Sequence, residues 1–252
     1  MGALLDYAYL KNFDDKLEKL KDLAMEEVWN FTEPPQGEKP IPPLPILRNY
    51  IFHTFEKVQE EGKISEHEGR SLFNTGLVTD HQEVIYGIFS KNWIPGKQPW
   101  FLDGWRKESD RDLSAFKLPE NANYFDDPSE LLYDTRLELR VNKEHILDEN
   151  RKRFPVELKE RSDHELVNLL EGAVNDAVRR VKINYKTAVP QYYRGKIQLL
   201  LPICLTDKAK ADFALVVERE GEVYRGSTCL TLDMAINNAR LLARLDGEWL
   251  KY

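Results

Sequence analysis

The last fifth of the chain leaves the polypeptide few options, because it reads strand, strand, turn, strand, helix with almost no spare residues. Residues 197–205 and 212–218 are short apolar runs, Glu220-Gly221-Glu222 has turn chemistry, and 223–226 reads as a return strand. Thr231 then opens a helix. Asp233, Asn237, Arg240 and Arg244 follow at spacings of four, three and four, so a helix stacks them on one stripe. Leu232, Ala235, Ile236, Ala239, Leu242 and Ala243 take the other side. A stripe that mixes carboxylate, amide and guanidinium offers donors and acceptors to a polar ligand.

At 252 residues the chain can bury a core without metals or disulfides. The expectation is one domain over 1–252, with a helical subregion at 1–66 and a mixed α+β body at 67–252. A formal net charge of -7 and a pI near 5.4 argue against a general nucleic-acid coat protein, but leave room for a local basic patch. Cys204 and Cys229 lie in apolar, strand-like surroundings with no His or Cys at ligand spacing, which reads as two buried, reduced thiols. The first residues lack the basic region of a signal peptide, and Asp6 departs from the myristoylation pattern. No apolar run approaches the ~20 residues of a membrane span. The expectation is a cytoplasmic protein with no membrane partner and no cofactor.

Residues 14–29 show the periodicity of an amphipathic helix, with Leu17, Leu20, Leu23, Ala24 and Val28 on its apolar stripe. A Pro-rich joint follows at 31–45, either a stiff connector or a ligand for a protein partner that recognises proline. Helix resumes over 46–62. The period then changes: 71–79, 82–91 and 98–106 read as an antiparallel meander rich in Phe, Tyr and Trp. Asn74 and Thr75, ahead of Gly76 on an otherwise apolar strand, suggest a bulge or a close backbone approach. Residues 108–127 look like loop, 131–141 like a strand, and 142–150 like a short helix carrying His145. Ser162-Asp163-His164-Glu165 is a capping box that opens the longest helix, running to about Lys186 with apolar residues at three and four.

From Arg151 to Lys196 the charge balance reverses, with eleven Lys and Arg against six acids. The excess gathers at the two ends, and Gln191-Tyr192-Tyr193-Arg194 follows the second. Cationic side chains contact phosphates and tyrosine rings stack on unpaired bases. Equally, a basic run in an acidic protein can form internal ion pairs or a solvated face, and some cations at a helix C-terminus answer the helix dipole.

The string Leu230-Thr231-Leu232-Asp233-Met234-Ala235-Ile236-Asn237-Asn238-Ala239-Arg240-Leu241 resembles the signature of an uncharacterised, mostly bacterial family, domain of unknown function thirty-eight twenty-five. Phe73-Asn74-Thr75-Gly76-Leu77, residues 145–150, Arg153-Phe154-Pro155, Asn184-Tyr185-Lys186, 188–193 and Gln198-Leu199-Leu200-Leu201-Pro202 are similar to that family too. The departure is Ile236, where the family pattern has Tyr. The resemblance implies RNA as a partner, since the domain occurs beside an RNA-binding winged-helix module and in bacterial RNA-processing or conflict settings.

Two functions follow. In an RNA-interacting module, Arg153, Arg179, Lys182, Lys186, Arg194 and Lys196 hold phosphates, Tyr192 and Tyr193 stack on bases beside Gln191, and Asp233, Asn237 and Arg240 read a base edge or ribose. In an enzyme acting on a nucleotide or RNA end, His145 is the proton-transfer group and Lys186, with Arg240, stabilises phosphoryl charge. Asp212 and Asp233 then hold a divalent ion such as magnesium. A third possibility is a protein-interaction domain using the Pro-rich joint.

Overall fold

The structure, a computed structural model, describes residues 2–32, 40–245 and 249–250. It has an α+β fold in two compact units, Met1–Asn123 and Tyr124–Tyr252. The helices expected over 1–66 and the meander therefore share the first unit. Of the Pro-rich joint, Pro34 and Pro35 lie outside the described residues.

The first unit runs α1 (Ala3–Tyr7), β1 (Ala8–Tyr9), α2 (Phe13–Leu23), α3 (Pro45–Glu60), β2 (Ser65–His67), β3 (Arg70–Val78), β4 (Val84–Lys91) and β5 (Trp100–Lys107). Its five strands are ordered β1-β5-β4-β3-β2. All pair antiparallel except β1, which runs parallel to β5. Helix α2 buries Phe13, Leu17 and Leu20 as its periodicity requires, but stops at Leu23 instead of continuing to Trp29. Ala24 is extended, and Met25 gives its N–H to the Val78 carbonyl at 2.8 Å. A sheet end thus outcompetes local helix propensity, and the extended segment buries Ala24 and Trp29.

Helix α3 begins at Pro45, whose missing N–H costs nothing in a first turn. Its Phe55 packs edge-on to Phe73 of β3 and Phe89 of β4, at 5.2 and 5.8 Å between ring centroids. The meander aromatics are therefore mostly core; Trp93, in the loop between β4 and β5, is the exposed exception at 84 %. Between Asn74 and Val78 the register of β3 against β4 shifts. Gly76 turns there with φ +70°, and a Cβ on it would lie 2.5 Å from the Tyr50 hydroxyl. Side chains satisfy the disturbed ladder: Asn74 Oδ1 accepts from Gly76 N at 2.8 Å and its Nδ2 donates to the Pro119 carbonyl at 3.1 Å. Thr75 Oγ1 donates to the Ile85 carbonyl at 2.6 Å. The bulge read from the sequence is present, and Asn74 and Thr75 are buried in building it.

The second unit runs β6 (Glu138–Val141), α4 (Lys143–Asn150), α5 (Asp163–Ile183), β7 (Val189–Tyr193), β8 (Lys196–Ile203), β9 (Phe213–Glu220), β10 (Val223–Leu230) and α6 (Leu232–Ala239). The strands are ordered β6-β10-β9-β8-β7. Only the last four residues of the strand expected over 131–141 pair, parallel to β10. Upstream, Asp134 binds the Arg136 N–H and guanidinium at 2.7–3.0 Å and so closes a turn on itself. The central strands β8 and β9 are buried on both faces over most of their length. Leu199, Leu201, Phe213, Leu215, Val217 and Cys229 face Ile146, Leu166, Leu170, Ala177 and Val181 of α4 and α5. Leu200, Ala214, Val216 and Leu230 are buried on the reverse face, where α6 packs against β7, β9 and β10.

The capping box is formed: Ser162 Oγ accepts from Glu165 N, and the Glu165 carboxylate accepts from Ser162 N. Helix α5 ends at Ile183, short of Lys186, because Asn184 Oδ1 takes the Lys186 N–H at 3.1 Å and a short 3-10 turn follows. Helix α6 is capped by Thr231 Oγ1, as its sequence requires, but ends at Ala239. No described helix is long and apolar enough to cross a membrane.

Candidate nucleic-acid interface

Hydrogen bonding separates the basic residues of 151–196 into two groups. At the first end, Arg151 donates to the Lys159 carbonyl at 2.9 Å, to the Arg161 carbonyl and to Asp163. Arg153 donates to Asn150 Oδ1 at 2.6 Å and to the Cys229 carbonyl. Asn150, 3 % exposed, also accepts the Cys229 N–H at 3.0 Å. Arg151 thus ties the turn after α4 to the start of α5, and Arg153 ties it to the end of β10, pointing inward rather than to a ligand. Farther along, Arg180 donates to the Lys208 carbonyl and Arg179 makes an exposed pair with Asp176 at 3.2 Å.

The second end differs. Among the described residues, Lys182, Lys186 and Arg194 make no ion pair, and all three are exposed. Ring surface accompanies two of them: Tyr185 is 63 % exposed beside Lys186, and Tyr193 is 44 % exposed with the Arg194 guanidinium 5.1 Å from its ring centroid. Strand β7 connects the two pairs. Its five residues give roughly 16 Å of extended chain. Tyr192 points to the other side and meets Tyr124 edge-on at 4.7 Å. Lys196 is held by Glu218, which raises the Lys196 pKa; Lys196 and Gln198 together lower that of Glu218.

Gln191 is buried at 1 % exposure within a chain of amides. Asn238 Nδ2 donates to Gln191 Oε1 at 3.2 Å, Gln191 Nε2 to Gln198 Oε1 at 2.9 Å, and Gln198 Nε2 to Glu218 at 2.9 Å. This chain fixes α6 to the sheet, so Gln191 acts through position rather than as an open contact. Because α6 ends early, its polar stripe does not remain one face. Arg240 is buried at 5 % exposure, and Asn237 Oδ1 is shut from solvent without a partner among the described residues. Asp233 stays part-exposed in the first turn.

A cavity of about 230 Å³ opens beside β7, bounded by Leu132, Tyr185, Val189, Ala239, Ala243 and Leu245, with Lys186 and Arg244 also in its wall. Sequence reasoning missed Tyr185 as a site residue. Its signal was present in Asn184-Tyr185-Lys186, where the helical period breaks and an aromatic stands next to a cation.

Of the residues expected to support catalysis, Asp212 is committed to the fold. Asp212 accepts from Leu205 N, Thr206 N and Thr206 Oγ1 at 2.6–3.0 Å, so both carboxylate oxygens hold the loop between β8 and β9. His145 is part-exposed on the first turn of α4, where its N–H is capped by Asn142. Among the described residues no group of three or more His, Cys, Asp and Glu gathers where a metal ion could sit. Cys229 is a buried thiol whose pKa burial pushes up to about 12, and burial raises that of Cys204 as well.

Fold and surface together define an α+β protein with two mixed five-stranded sheets and a tyrosine-flanked basic strand edge. The chain belongs to the family described as domain of unknown function DUF3825, whose profile matches residues 20–249. No curated protein and no solved structure matches it. Ile236, the departure from the resembled signature, is 4 % exposed on the packed side of α6.

Proposed function

We propose that this domain binds single-stranded RNA or an RNA end in the cytoplasm, within an RNA-processing, repair or defence pathway. The supporting observation is the pairing of Lys186 with Tyr185 and of Arg194 with Tyr193 at the two ends of one edge strand, with neither cation in an ion pair among the described residues. Phosphates answer the cations and unstacked bases answer the rings, and base stacking tolerates any sequence. The acidic remainder of the protein confines the attraction to this edge and limits general polyanion binding.

A gel shift with a labelled single-stranded oligoribonucleotide tests the proposal. Binding should weaken as salt rises, because phosphate contacts release counterions, and should fall sharply in the Lys186→Ala, Arg194→Ala double variant. A salt-independent shift, or one that the double variant preserves, contradicts it.

A further inference from the structure

We infer that the cavity beside β7 takes the tail of a single-chain anionic amphiphile, a medium-chain fatty acid, with its carboxylate at Lys186; the inference stands apart from the RNA reading and shares only Lys186 with it. The cavity measures about 230 Å³. An apolar cavity of roughly 150 Å³ takes the six carbons of benzene, so in proportion this one holds about nine. Leu131, Leu132, Val189, Ala239, Ala243 and Leu245 form its walls, and among the described lining residues only Tyr185, Lys186 and Arg244 have polar side chains. Arg244 is already engaged within the protein. Lys186, exposed and in no ion pair among the described residues, is the cation left for an incoming anion. Leu132 and Tyr185 line the cavity yet are largely exposed, so it opens to solvent and a tail can enter.

The walls discriminate among occupants. A nucleobase or a sugar carries donors and acceptors that aliphatic side chains cannot satisfy, and burying such groups unpaired is costly. A peptide adding to the sheet along β7 meets Pro190, which has no N–H to donate. A neutral hydrocarbon leaves Lys186 unanswered. An acyl chain needs no hydrogen bond along its length, and its one polar end is the anion that Lys186 complements. The floor is also elongated: Ala243 N donates to the Ala239 carbonyl at 3.4 Å, so two methyl side chains follow each other one helical turn apart and leave a furrow between bulkier neighbours.

The test is isothermal titration calorimetry of the full chain with octanoate, hexanoate and octanol, all below micelle-forming concentrations. The native chain should bind octanoate saturably and about tenfold more tightly than hexanoate, the effect of burying two further methylenes. It should prefer octanoate to octanol by about threefold to fivefold, the scale of one exposed ion pair. Lys186→Gln should remove the preference for the charged head and keep the dependence on length. Ala243 is exposed at the cavity, so Phe there fills the space without entering the core; Ala243→Phe should weaken octanoate at least about tenfold at an unchanged melting temperature. Octanoate that binds no better than hexanoate or octanol overturns the assignment, as does octanoate binding that Ala243→Phe leaves intact. Absence of saturable binding overturns it too, and a native dimer that Ala243→Phe dissociates in sedimentation would then give the cavity to a second copy of the chain. RNA binding is read separately by the gel shift, so the two readings stand or fall independently.

Discussion

The two ends of the basic segment have similar composition and opposite commitments. Around Arg151 and Arg153 the guanidiniums are spent on backbone carbonyls, Asn150 and Asp163. Around Lys186 and Arg194 the cations lack ion-pair partners among the described residues and stand next to exposed tyrosines. The chemical difference is geometric: a planar guanidinium can answer several carbonyls in a turn, and the turns after α4 present such carbonyls. Strand β7 buries Val189 and Gln191 but leaves Tyr193 exposed at its end, beside Arg194. Charge count alone therefore cannot locate a ligand surface; the partners decide.

The largest effect should come from breaking the inward end. Asn150→Ala leaves the buried Cys229 N–H without its acceptor and should cost about 2–3 kcal/mol in urea unfolding, while the folded protein keeps its RNA affinity. A loss of affinity with full stability would reverse the roles assigned to the two ends. Next in size, Lys186→Ala and Arg194→Ala should each lower the slope of log affinity against log salt by about one, with no change in melting temperature. Lys182→Ala, also without an ion pair among the described residues, serves as the position-sensitive control: a slope change as large as that of Lys186 would extend the surface along α5.

The smallest effect concerns Lys196 and Glu218. Hydrogen bonds from Lys196 and Gln198 depress the Glu218 pKa. Its contribution to stability is present above the unfolded carboxylate pKa and is lost as pH falls through the folded value. Glu218 raises the pKa of Lys196, so that contribution is present below the unfolded lysine pKa and is lost as pH rises through the folded value. Acid titration of Glu218→Gln should therefore show a shallower loss of stability than the native chain. RNA affinity should stay within a factor of about two, since exposed pairs contribute little. An unchanged acid limb would show that the pair is not maintained in solution.

Much of the architecture was legible because its causes are local. Ser162 and Glu165 specify a helix start, Thr231 specifies another, and Asn74-Thr75-Gly76 marks the bulge. What escaped has distant causes. Helix α2 stops because Val78 takes the Met25 N–H, and β6 is short because its partner lies in β10. Arg153 turns inward because the Cys229 carbonyl, 76 residues away, folds back onto it. Within the candidate site, Lys186, Arg194 and Tyr193 were readable from charge and ring alone. Arg240 was not, because the α6 stripe assumed a helix reaching Arg244; the helix stops at Ala239 and Arg240 is enclosed.

The most direct measurement is the affinity of the full chain for a labelled single-stranded oligoribonucleotide at low and moderate salt, native protein beside the Lys186→Ala, Arg194→Ala variant. Salt-sensitive binding in the native chain, weakened at least about tenfold in the equally stable variant, is the expected result. No binding at low salt, or equal binding by both proteins, contradicts the assignment of this strand edge to RNA.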